Sequence, residues 1–166
     1  PDDGKKPESV HLELFPASEE LGARLSAGKR ANWEKLFAVR GEVLKALERA
    51  RQAKSIGASL EAKVYLRAQG ELARLLEHYR SELPALFIVS QVELGQAPAG
   101  TMQPTELPGL EVAVVRADGK KCERCWNYSP HVGEDVNYPS VCERCLRALA
   151  EIAASPASGG ASRDSQ

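Results

Sequence analysis

The sequence predicts an α+β fold: a helical segment, then a small α/β junction with about three strands, then a compact ribbon built around four cysteines. Three observations carry this reading. An apolar stripe repeats every three or four residues from about Lys29 to Lys54. Three shorter apolar segments, at 60–66, 85–94 and 110–117, have the length and patterning of strands. Two C-x2-C pairs, Cys122/Cys125 and Cys142/Cys145, are separated by sixteen residues.

Along the chain, residues 1–9 are polar and rich in Pro and Gly, which favours a loop. The segment at 10–15 alternates and is closed by Pro16. Ser18 is an expected helix N-cap, with Glu19 and Glu20 in the first turn and Leu21 and Leu25 on one face. The long helix has its inner stripe at Trp33, Leu36, Phe37, Val43, Leu44, Leu47, Ala50 and Ala53, with Gly57 as the stop. Leu60, Ala62, Val64 and Leu66 define the buried face of the first strand. A short helix is expected at 71–81, with Leu72, Leu75, Leu76 and Tyr79 inward and Pro84 ending it. The continuous run Leu86–Val89 suits a strand covered on both faces. Residues 95–109 read as a loop, 110–117 as the third strand, Asp118-Gly119 as its turn, and about Arg144 to Ala153 as a final helix. The tail is low in apolar residues, which predicts disorder. The expected divisions are 1–57, 58–117, 118–153 and 154–166.

Composition excludes some classes. Of the 166 residues, 43% are hydrophobic and 27% charged, ordinary for a globular chain, and no apolar run reaches membrane-span length. Lys+Arg at 22 against Asp+Glu at 23 gives no global basic field, so any nucleic-acid surface must be local. The chain has no initiator Met and reads as a piece of a longer protein. A monomer and a cytoplasmic setting are expected.

The doubled C-x2-C points to one structural zinc ion held by Cys122, Cys125, Cys142 and Cys145. Each two-residue gap lets a tight turn aim two sulfurs at one point, and two such turns complete a tetrahedron of thiolates. Four protein ligands leave no open position, so the site is structural. Two disulfides are the alternative use of the same cysteines. Their tight pairing at one end of the chain suits a metal in a reducing compartment. His131 reads as a loop residue, His11 and His78 as structural. Lys120, Lys121, Arg124, Arg144 and Arg147 surround the ligands, where they either offset the negative charge of four thiolates or contact RNA. Trp126, Tyr128, Val132, Val136, Tyr138 and Val141 are expected to supply the segment's apolar packing.

The run GKKCERCWNYSPHVGEDVNYPSVCERCLRAL at 119–149 resembles the C-terminal zinc-binding module of bacterial isoleucyl-tRNA synthetase. SVHLELFP at 9–16, RARQAKSIGASLEAKVYL at 49–66 and LFIVSQVEL at 86–94 resemble the segments joining that enzyme's anticodon-binding bundle to its zinc module. The resemblance implies that the first part is the end of that bundle. It also implies that the chain helps hold the anticodon stem-loop of tRNA-Ile. The ATP-dependent aminoacylation would be carried out by other domains of the same enzyme. The His-Ile-Gly-His and Lys-Met-Ser-Lys-Ser signatures of that chemistry are absent, so this chain alone has no expected catalytic site.

Candidate tRNA-contacting residues are Trp126, Arg124, Lys120, Lys121, Arg144, Lys45, Arg49 and Lys54. The helix from Ala27 to Lys54 carries Lys29, Arg30, Lys35, Arg40, Lys45, Arg49, Arg51 and Lys54 against Glu34, Glu42 and Glu48. That stripe either tracks phosphates or is a solvated face. Trp126 either caps the zinc knuckle or stacks on an unpaired base; packing with a partly exposed edge is the expectation. Two other functions compete. A formamidopyrimidine-type DNA glycosylase carries a similar four-cysteine finger and an N-terminal proline. Here, however, Pro1 precedes Asp2-Asp3 and the chain is short for that fold. A ribbon used for protein–protein docking is the other.

Overall fold

The computed structural model describes Ser9, His11, Phe15, Ser18 and residues 26–154. The alternating segment at 10–15, the helix expected from Ser18 and the tail fall outside these residues, apart from the single positions named and Ala154. The chain divides into two compact units, 1–37 and 38–166.

In the first unit the described structure is the opening of helix α1 (Ala27–Gln52). It starts two residues before the expected Lys29, with Ser26 as the N-cap, its Oγ accepting the Lys29 N–H at 3.3 Å. The Trp33 and Phe37 rings are neighbours one turn apart, with centroids 5.8 Å apart. Leu36 is buried, whereas Phe37 is 57% exposed.

In the second unit α1 continues with Val39, Val43, Ala46, Leu47 and Ala50 buried. The expected stripe was thus rotated: Val39 and Ala46 belong to it, while Leu44 and Ala53 are exposed. Each residue turns the helix by about 100°, so Leu44 lies at the margin of the face centred on Val39, Val43 and Ala50. The helix also stops before Gly57. Lys54 takes φ 57°, its N–H donates to the Arg51 carbonyl, and the Ser55 N–H reaches back to that of Ala50 at 3.0 Å. This is a Schellman closure built without glycine.

A four-stranded sheet has the order β2-β1-β4-β3, formed by β1 (Ala62–Ala68), β2 (Gln91–Leu94), β3 (Gln103–Pro104) and β4 (Leu110–Arg116). β1 lies parallel to β2 and antiparallel to β4, and β3 is antiparallel to β4. Ala62, Val64 and Leu66 form one buried face, as the alternation requires; Leu60 sits in a 3-10 turn just before the strand. The parallel β1–β2 pair needs a crossover, supplied by α2 (Gly70–His78) and α3 (Leu83–Phe87). Leu75, Leu76, Leu83 and Phe87 carry its buried side.

The reading of 85–94 as one two-sided strand is corrected here. Leu83–Phe87 is helical, Ile88 is left-handed at φ 58° and 56% exposed, and the strand is only Gln91–Leu94. Pro84 lies in the first turn of α3, where its missing N–H costs nothing, so it opens a helix; α2 has already ended at His78. A four-residue apolar run fits either state, and the proline decides.

After β4 come a small hairpin, β5 (Lys120–Lys121) with β6 (Tyr128–Ser129), and a final helix, α4 (Glu143–Ala154). The hairpin is clasped to the sheet. The Gln91 side chain accepts from the Asp118 N–H and donates to its carbonyl, both at 3.0 Å. The Tyr128 N–H donates to Ser90 Oγ at 2.7 Å. Lys63 Nζ meets Asp118 at 2.8 Å and Glu93 at 3.2 Å, and the Asp118 bond raises the lysine's pKa.

Gly119 lets the chain enter this hairpin. It has φ 86°, and a Cβ there would lie 2.2 Å from the Ser129 backbone. Gly119→Ala should destabilise the zinc-loaded chain by at least about 2 kcal/mol, combining left-handed strain with the clash. Urea unfolding monitored by circular dichroism measures it.

Candidate metal centre

Two tight turns bring the four cysteines together. In the first, the Cys122 N–H donates to the Asn127 carbonyl at 2.8 Å and the Trp126 N–H to the Cys122 carbonyl at 2.9 Å. The turn closes with Trp126 at φ 66°, a conformation usually left to glycine. In the second, α4 starts directly after Cys142, so Cys145 lies on its first turn. The two turns are tied by the Glu123 N–H to the Ser140 carbonyl and by the Cys142 N–H to Cys122 Sγ at 3.3 Å.

The sulfur atoms all lie within 4.8 Å of one another. Cys122 and Cys145 are 3.8 Å apart, and Cys125 and Cys142 are 3.6 Å apart. A tetrahedron with Zn–S bonds of about 2.3 Å has an edge of about 3.8 Å, so the donor set fits one zinc ion. The same separations exclude disulfides, which need about 2.05 Å, and all four thiols are free. The chain holds a single structural zinc. His131 is not a donor to it; its Nδ1 pairs with Glu134 at 2.9 Å.

The surroundings carry positive charge toward the sulfurs. Arg124 Nη1 approaches Cys145 Sγ at 3.7 Å, and Asn127 Nδ2 approaches Cys125 Sγ at 3.6 Å. Burial raises the Cys125 thiol, but the Asn127 backbone N–H, Cys122 and Arg144 outweigh it and hold the group at about 6. Burial together with the neighbouring thiols pushes Cys142 up to about 12. Arg124 and Arg144 therefore have a charge-compensating role at the metal.

The remaining candidates separate. Lys121 Nζ sits 5.0 Å from the Trp126 ring centroid, and the indole is 60% exposed, more open than the expected packing with a partly exposed edge. Val136 and Tyr138 are also exposed; of the residues expected to pack, Val132 and Val141 lie against the sulfur cluster. Lys120 is exposed on β5. On α1, Lys45 is held by Glu106 at 2.6 Å and Glu42 at 3.0 Å, while Arg49 is exposed, as is Lys54 just past the helix end. The anchors Ser90, Gln91 and Asn127 were missed, since isolated polar residues at element ends leave no periodic signal.

A matrix of four cysteines in two such turns defines the class described as "Zinc finger found in FPG and IleRS", which matches residues 119–148. Similarity extends well beyond that finger. The chain is 44% identical over 152 residues to the isoleucine–tRNA ligase of Syntrophotalea carbinolica, covering 89% of this chain and 16% of that protein. It is 48% identical over 152 residues to the one from Carboxydothermus hydrogenoformans, covering 92% and 16%. With the one from Gloeobacter violaceus it shares 51% over 119 residues, covering 71% and 12%. The chain belongs to the isoleucine–tRNA ligase family and spans about a sixth of the length of the first two of these relatives.

Chelation of the zinc should abolish amide-exchange protection at 122–145 and leave that of α1 in place, because the ribbon's apolar cluster consists largely of the ligands themselves. Zinc uptake near neutral pH should expel protons, that of Cys142 among them. Below about pH 6, where Cys125 also holds its proton, the release should grow and the affinity fall. Calorimetry in buffers of different ionisation enthalpy counts the protons.

Proposed function

We propose that this chain is the tRNA-binding C-terminal region of an isoleucyl-tRNA synthetase. It holds the anticodon stem-loop of tRNA-Ile in the cytoplasm while a catalytic domain elsewhere in the enzyme uses ATP to attach isoleucine. In this reading the chain comprises a helical part (1–57), a junction (58–117) and a zinc module (118–153). The observation that carries the reading is similarity to isoleucine–tRNA ligases over about nine-tenths of the chain, far beyond the finger. It favours the synthetase over the glycosylase alternative, because the finger is common to both families and the similarity to ligases runs well past it.

The surface supports it. An exposed indole with a lysine over its ring offers a face for an unpaired base and a charge for its phosphate. Lys120 and Lys121 extend that charge. Arg49 on α1 and Lys54 just beyond its end are the phosphate contacts, whereas Lys45 is committed to two carboxylates.

Binding of tRNA-Ile, an unrelated tRNA and abasic DNA at fixed salt tests the proposal; preference for abasic DNA, or equal affinity for all three, rejects it. Trp126→Ala should weaken tRNA-Ile binding by about 1–3 kcal/mol with zinc content unchanged. Arg49→Ala and Lys54→Ala should each lower the salt slope by about one, and Lys45→Ala by less.

A further inference from the structure

We infer that the metal site is also an oxidation site, at which hydrogen peroxide joins Cys125 to Cys142 and opens the cage. The four sulfurs are not equally reachable. Cys122 and Cys145 are buried at 0% and 2% exposure. Cys125 is half-buried. Cys142, although 2% exposed overall, lines an open cleft of about 390 Å³ that Ser90, Asn127 and Arg144 also line. The half-buried Cys125 and the cleft-lining Cys142 are also neighbours, with their sulfurs 3.6 Å apart. They come from different turns, so a bond between them crosses the cage.

The chemistry needs no group beyond the oxidant. The Cys125 thiolate attacks one peroxide oxygen, the O–O bond breaks, and hydroxide leaves, giving a sulfenic acid. The Cys142 thiolate then attacks that sulfur, the S–S bond forms, and a second hydroxide leaves. Two thiolates lose two electrons, the peroxide gains them, and two protons from solvent convert both hydroxides to water. Arg144, beside Cys125 and on the cleft wall, places a cation where the negative charge leaves. Removing two of four donors ends tetrahedral binding, and the metal departs as Cys122 and Cys145 take up protons. Re-reduction with added zinc rebuilds the site.

The zinc-loaded full chain is treated with one equivalent of hydrogen peroxide, then alkylated. Released zinc is read with a chromogenic chelator and bridges are mapped by peptide mass spectrometry. The expected result is a Cys125–Cys142 bridge as the first product, zinc released mole for mole with it, alkylated Cys122 and Cys145, and full recovery with thiol and zinc. A first bridge within either C-x2-C pair overturns the inference. So does a bridge without metal loss, or direct conversion to sulfinic acid.

Discussion

Four sulfur atoms confined within 4.8 Å cannot all be charged unless something positive stands among them. Two unit charges about 4 Å apart repel by roughly 4 kcal/mol even at an effective dielectric near 20. The metal-free thiols answer this by dividing: Cys125 keeps its charge near neutrality and Cys142 keeps its proton. A divalent cation reverses the sign of the problem, and the rest of the ribbon is arranged around that reversal. Arg124 and Arg144 balance the surplus of two negative charges that remains, and a backbone N–H of one turn reaches a sulfur of the other.

The ribbon is joined to the rest of its unit by polar contacts more than by apolar ones. Ser90 and Gln91, at the start of β2, hold backbone groups of Asp118 and Tyr128, and Lys63 on β1 reaches Asp118 just past the end of β4. These contacts set the hairpin's position without a large shared core. The apolar cluster around the sulfurs, with Val132 and Val141, is small and separate. Such a module depends on its metal for shape and on its clasp for placement.

Much of this was legible beforehand. Doubled C-x2-C spacing specifies a donor set because it encodes geometry directly. The strands at β1 and β4 were legible because alternation of Ala62, Val64 and Leu66 has only one structural meaning. The apolar run at 86–89 misled because it lacks a period, and only Pro84 carried the information that a helix was starting. The rotated stripe of α1 shows the same limit: eight apolar positions suit two overlapping faces, and tertiary packing selects Val39 and Ala46 over Leu44 and Ala53. Among the basic residues, composition could not distinguish Lys45, tied to Glu42 and Glu106, from Arg49. Pairing of that kind joins residues some sixty positions apart and leaves no local trace.

The left-handed backbone at Trp126 bears on how such a chain tolerates redesign. A side chain at positive φ carries a conformational cost that glycine avoids, on the order of 1–2 kcal/mol. A procedure that ranked substitutions by folding stability alone would therefore favour replacing this tryptophan. It would relieve that strain and erase the largest aromatic surface the ribbon shows to solvent, a stabilising change that trades away recognition.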